Sequence, residues 1–110
     1  MKDRITIKNK WRCVIITLIA RIIAKPGKET LLAEEIVKIA RTVREQEKGC
    51  LMYMPYVSAN NPAEITFLEK YVDRDALDAH VQSPYFKQYR EITKEFVAER
   101  LPTQFLTELG

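Results

Sequence analysis

The sequence predicts an α+β fold, a ferredoxin-like βαββαβ sandwich with a four-stranded antiparallel sheet and its helices on one face. Three observations predict it. Apolar residues alternate or run unbroken in four short stretches, and recur at helical spacing between them. The order of these stretches is strand–helix–strand, twice over. A short turn, Ala59-Asn60-Asn61-Pro62, joins the two halves and makes an antiparallel hairpin of the strands that flank it.

Each element has its own signal. Residues 13–24, CVIITLIARIIA, are rich in β-branched side chains and read as a buried first strand. Lys25-Pro26-Gly27-Lys28 breaks it. From Glu29 to about Lys48 the period changes, with Leu32, Ile36, Ile39 and Val43 on one helical face. Gly49 stands where a helix C′ residue belongs. Residues 50–58 read as a second strand, which Pro55 assigns to an edge or a bulge. Glu64 to Tyr71 is the third, with Ile65, Phe67 and Glu69 on one face and Thr66, Leu68 and Lys70 on the other. Asp73 caps a short helix. Ser83 caps another, with Pro84 in its first position. That last helix is expected to run to Pro102, with Phe86, Tyr89, Thr93, Phe96 and Val97 inward. Thr103 to Leu109 alternates as a fourth strand.

Composition narrows the function classes. A chain of 110 residues, 46% hydrophobic and 30% charged, suits one globular domain. No run of about 18 apolar residues exists, so no membrane-spanning helix is expected. The apolar run after the basic start is cut by Arg21 and lacks a cleavage site, which disfavours a secretory leader. Net charge is +3, yet Lys2, Arg4, Lys8, Lys10 and Arg12 against Asp3 put +4 of it in the first 12 residues. The division is therefore a basic arm, 1–12, and a domain, 13–110, of charge −1. The arm lacks the aromatic–basic platform of a nucleic-acid binder; Trp11 reads as an anchor on a partner subunit or as part of a frayed terminus. Cys13 and Cys50 have no metal-ligand spacing and read as thiols of a reducing cytoplasm. His80 is the only histidine, too few for a zinc or haem site without other ligands.

The strands are apolar on both faces: Val14-Ile15-Ile16 and Ile22-Ile23 do not alternate, and Phe67 and Leu68 point opposite ways. A two-layer sandwich leaves one sheet face bare. A second copy, sheet against sheet, is the economical cover, so a homodimer is expected.

Local patterns then coincide. Lys25-Pro26-Gly27-Lys28, Gly49-Cys50-Leu51-Met52-Tyr53, Glu69-Lys70-Tyr71, Ala76-Leu77-Asp78-Ala79-His80 and Ser83-Pro84-Tyr85-Phe86 occur in that order. Over about residues 13–109 the chain resembles the antibiotic biosynthesis monooxygenase domain family, in its quinol-monooxygenase flavour. The resemblance implies a dimer whose two sheets form a barrel, with one apolar pocket per subunit. It also implies oxygenation of a small quinol-like or polyphenolic aromatic by dioxygen, without metal, flavin or haem. The haem-degrading branch would place asparagine, tryptophan and histidine at about Ala20, Tyr71 and Arg90, so all three positions depart from it. Other relatives isomerise a small phosphorylated carbonyl compound. That alternative needs a basic pocket, for which Arg90 with Lys70 is the suggestive set. A non-catalytic binding dimer is the third alternative.

His80 is the sharpest candidate. A phenolate passes an electron to dioxygen far more readily than a phenol, so the chemistry wants a base that works near neutrality. The plainer alternative is an imidazole meeting a helix end. Tyr53, Tyr71 and Tyr85 are candidate hydroxyls, and Phe67 and Phe86 candidate walls, with core packing as the plainer role for each. Arg90 can steady a developing anion or form a surface ion pair. Glu69 can orient His80 or act as base if buried, and otherwise reads as a surface or dimer-interface ion pair.

Overall fold

The computed structural model describes residues 14–109; the basic arm with Trp11, and Cys13, lie outside the described residues. Strand β1 spans Ile16–Ala24, helix α1 Glu29–Gln46, β2 Cys50–Val57 and β3 Glu64–Tyr71. Helix α2 spans Arg74–Gln82 and α3 Pro84–Thr93, followed by short strands β4, Val97–Arg100, and β5, Gln104–Leu106. The sheet is antiparallel in the order β2-β3-β1-β4, and β5 also pairs with β1. This is the ferredoxin-like α+β arrangement expected from the sequence.

The turn into α1 needs Gly27, whose φ of 83° is a left-handed value that favours glycine. Leu32, Ile36, Ile39, Ala40 and Val43 form the buried stripe of α1, which packs against Ile22, Ile65 and Phe67 of the sheet. Pro55 is tolerated because β2 is an edge strand, with an irregularity between Cys50 and Met52. In β3 Ile65, Phe67 and Glu69 share one face as the alternation predicts, and with Tyr71 they are the buried residues of the strand. Asp73 accepts from the Ala76 amide at 2.8 Å to start α2, and the Ser83 hydroxyl accepts from the Phe86 amide at 3.3 Å to start α3.

Two expectations are corrected. Helix α3 ends at Thr93 instead of reaching Pro102. The chain instead runs back along β1, with Arg100 opposite Ile22 and Phe105 opposite Leu18. Here the free edge of β1 supplies hydrogen bonds: the Lys25 amide donates to the Phe96 carbonyl and the Leu101 amide to the Arg21 carbonyl. The fourth strand is thus two pieces divided at Pro102 and Thr103, and it begins before the expected Thr103. Phe96 and Val97 still pack on the core, from a turn and a strand.

Gly49 is the other correction. Its φ is not positive, and α1 ends on an extended Glu47 instead. Glycine is needed here because an added Cβ would lie 2.7 Å from the Ala76 Cβ, so α2 crosses too closely for a side chain. Gly49→Ala should therefore destabilise the protein by about 1–3 kcal/mol. A fall in the urea midpoint is the check, and an unchanged midpoint would show that α2 shifts freely.

The helices cover one sheet face only. On the other, register aligns Ile19, Leu68 and Met54 across three strands, with Tyr56 and Leu106 nearby. Met54, Tyr56 and Leu106 are exposed. The bare face thus carries an apolar patch, as the sequence led us to expect, bordered by Thr17, Arg21, Thr66 and Lys70.

Candidate functional site

Between the covered sheet face, α2 and α3 lies a cavity of about 500 Å³. The sheet contributes Leu18, Ile22, Tyr53, Phe67 and Glu69; the helices contribute Leu77, His80, Phe86, Tyr89 and Arg90. Short local rules put His80 there. Asp73 fixes where α2 starts, so Leu77 and His80, three residues apart, both turn toward the sheet and are buried. Ser83 then holds the end of that helix: its hydroxyl donates to the His80 carbonyl at 2.7 Å.

The imidazole is 2% exposed. It packs among aromatic rings, with centroids 4.4 Å from Phe86, 5.2 Å from Tyr53 and 5.5 Å from Tyr71. Its Nδ1 lies 2.9 Å and 3.1 Å from the two carboxylate oxygens of Glu47. An ionised carboxylate only accepts, so Nδ1 carries the hydrogen, and in the neutral ring the lone pair is on Nε2. The Tyr85 hydroxyl donates to Glu47 at 2.6 Å, which fixes the carboxylate from the other side. Tyr85–Glu47–His80 is thus one chain of hydrogen bonds ending at the cavity. Such a chain can hold an imidazole in one tautomer and stabilise it once protonated.

A second carboxylate lies close by. Glu69 lines the cavity from β3, is buried, and accepts from the Tyr71 hydroxyl at 2.7 Å. Burial pushes its pKa above the usual 4.5, a rise moderated by Tyr71 and His80. Burial likewise pushes Tyr71 and Tyr53 well above the ordinary phenol value, each helped by the charge of Glu69. Tyr85 is pushed up to about 12 by burial and by its bond to Glu47. These phenols therefore stay protonated at neutral pH, and Tyr71 and Tyr85 donate to their glutamates.

Glu69 also makes a stability prediction. A carboxyl whose pKa is higher folded than unfolded binds its proton more tightly in the folded state. The stability it contributes is present in acid and lost as pH climbs from the ordinary carboxylate range through the raised value. Glu69→Gln should flatten that fall. Urea midpoints across the acid range to pH 8 should then drop less in the variant than in wild type; parallel profiles would exclude Glu69 as the cause.

Of the residues singled out in the sequence, His80, Tyr53, Phe67, Glu69, Phe86 and Arg90 line the cavity. Tyr71 and Tyr85 do not; each stands behind a lining group and holds a carboxylate. The Arg90 guanidinium lies 5.9 Å from the centre of the Phe86 ring. Lys70 cannot join it, because Lys70 belongs to the bare face in register with Thr17 and Met52. The Arg90–Lys70 set is therefore withdrawn. Among the described residues no three His, Cys, Asp or Glu side chains cluster to hold a metal ion. Cys50, pushed up to about 11 by burial and then by Glu47, is a poor thiolate.

Sequence reasoning missed Glu47. Its position is four residues beyond Val43, the next place on the buried stripe of α1. A carboxylate there was a signal available in the spacing.

Comparison with known proteins agrees with this architecture. The family profile described as antibiotic biosynthesis monooxygenase matches residues 15–92. An Escherichia coli protein named Probable quinol monooxygenase YgiN is 33% identical over 95 residues, covering 77% of this chain and 90% of that protein. The Synechocystis protein sll1783 is 31% identical over 87 residues and 76% of this chain, which spans 56% of that longer relative. The solved structure of Rv0793 from Mycobacterium tuberculosis has a TM-score of 0.77 at 29% identity, covering 87% of this chain and 96% of that one. The matched region holds β1 to α3, and with it Glu47, Glu69 and His80; the chain belongs to the antibiotic biosynthesis monooxygenase family.

Proposed function

We propose that the protein is a cofactor-independent monooxygenase that oxidises a small quinol-like aromatic with dioxygen. The observation that carries this reading is His80, held by Glu47 through Nδ1 inside an aromatic-walled cavity. In the proposed reaction Nε2 takes the phenolic proton. The phenolate gives an electron to dioxygen, and the radical pair closes a carbon–oxygen bond. Loss of water then leaves a hydroxyquinone. One oxygen atom enters the ring, the other leaves as water, and the quinol supplies all four electrons. His80 is the base. Tyr53, Phe67 and Phe86 shape the wall, Glu69 and Arg90 are polar groups facing the ring, and Tyr71 and Tyr85 hold the two carboxylates. Oxygen uptake by metal-free protein on a panel of hydroquinones is the test. Uptake with substrate-dependent rates supports the reading, and no uptake on any member overturns it.

The working unit in this proposal is a homodimer in the cytoplasm, two bare sheet faces closing on one another. The uncovered Met54, Tyr56 and Leu106 support it. Sedimentation at low micromolar concentration should give twice the chain mass; a stable monomer would sink the dimer. Nothing in the described residues favours a nucleic-acid or membrane partner, and no helix among them is long and apolar enough to cross a membrane.

A further inference from the structure

Two arginines at the cavity mouth are not used by the proton chemistry. Arg100 stands opposite Ile22 in the β1–β4 register, so it shares the helix-covered face of the sheet with a core residue. It lines the cavity together with Arg90 and also shares the adjoining groove with it. An arginine on that face needs a reason, because its charge is best placed against an anion. Neither guanidinium makes an ion pair among the described residues. The acids nearby are engaged elsewhere, Asp78 with Arg74 and Glu91 with Lys94. Arg100 is held below its ordinary pKa by partial burial and then by the charge of Arg90, so the two cations share the cavity mouth without an ion pair of their own.

We propose that Arg90 and Arg100 form an anion site at the mouth of the cavity, and that the aromatic substrate carries a carboxylate at the end remote from His80. This rests on the oxygenase reading of the cavity and adds the substrate class. The Phe86 ring links the two groups: its centre lies 4.4 Å from the imidazole and 5.9 Å from the Arg90 guanidinium. A single substituted ring lying along Phe86 presents its phenol to His80 and its carboxylate to the arginines. Guanidinium forks suit that group, because they bond a carboxylate in two places. The carboxylate also gives the site a direction, since the ring can then enter only phenol first.

Calorimetric titration without oxygen, using 2,5-dihydroxybenzoate and hydroquinone, tests this. The two probes share the quinol and differ in the carboxylate. Wild type should bind the carboxylate form at least about tenfold tighter at low salt. The preference should shrink at high salt, as expected for partly exposed charges. Arg90→Gln and Arg100→Gln should each erode it, and in Arg100→Gln hydroquinone affinity should move less than about twofold. Both side chains are exposed, and circular dichroism verifies folding. Equal affinities, no binding of either probe, or variants that weaken both probes alike would overturn the anion site. The two readings fail separately. Selective binding of the carboxylate with no oxygen uptake in air removes the oxygenase and leaves the anion site. Uptake from hydroquinone without carboxylate preference does the reverse.

Discussion

His80→Ala is expected to lower oxygen uptake on the best hydroquinone by about 10²–10⁴-fold, the usual span for a positioned general base. The ring lines the cavity with Nε2 not engaged by Glu47, and the neighbouring phenols are pushed toward the protonated state. Glu69, the other buried group on the cavity that could take a proton, is engaged with Tyr71. The substitution leaves a hole the size of an imidazole beside Phe86, Tyr53 and Tyr71. Added imidazole should therefore fill the hole and restore part of the rate. Rescue separates a base from a packing residue, because a merely structural ring would leave an unstable protein that imidazole cannot reactivate. Equal uptake by variant and wild type would remove His80 as the base while sparing the reaction class.

Much of the frame that carries His80 was legible in the sequence, because it depends on local rules. Alternation along β3 put Phe67 and Glu69 on one face before any tertiary contact was known, and the packing of α1 makes that face the core. Asp73, Ser83 and Pro84 marked two helix starts within ten residues of His80. What escaped was decided by distant partners. Phe96 and Val97 fit a helical stripe as well as a strand; the open edge of β1, more than 70 residues earlier, made the difference. Gly49 looked like a helix terminator, and its true constraint is Ala76 on another helix. Arg100 could not be placed at the cavity until the helix was known to end at Thr93. Lys70 was a different kind of miss. Adjacent strand residues point to opposite faces, so its pairing with a cavity group was excluded by the same alternation that placed Glu69.

The carboxylates show why a site residue and its support have to be told apart. Tyr71 and Tyr85 attract attention as hydroxyls, yet each spends its hydrogen on a glutamate. A buried carboxylate without such donors would take up a proton or seek water. By donating to Glu47 and Glu69, the two tyrosines hold one carboxylate against His80 Nδ1 and the other on the cavity wall. Their value lies in holding charge where His80 can feel it, which is a stabilising task with a catalytic consequence.

Glu47 is accordingly the second place where a single change should matter most. It is a positioning residue: it reaches the reaction through His80, at 2.9 Å and 3.1 Å from Nδ1. Glu47→Gln keeps the volume and a hydrogen-bond acceptor but removes the charge that steadies a protonated imidazole. A charge-assisted hydrogen bond of this kind is worth about 1.5–3 kcal/mol, which corresponds to a loss of about ten- to a hundredfold in kcat. KM should stay within about twofold, because the carboxylate does not touch the substrate and the lost interaction strengthens only as the proton moves. Glu47→Asp keeps the charge and should recover part of the rate if its shorter reach still meets Nδ1. Tyr85→Phe, which removes one donor to the same carboxylate, should cost less than Glu47→Gln. A purely structural Glu47 would behave differently: thermal stability would fall, and kcat of the remaining folded protein would not. Unchanged kcat in Glu47→Gln, measured on protein shown to be folded, would therefore cut the link between this carboxylate and the proton transfer.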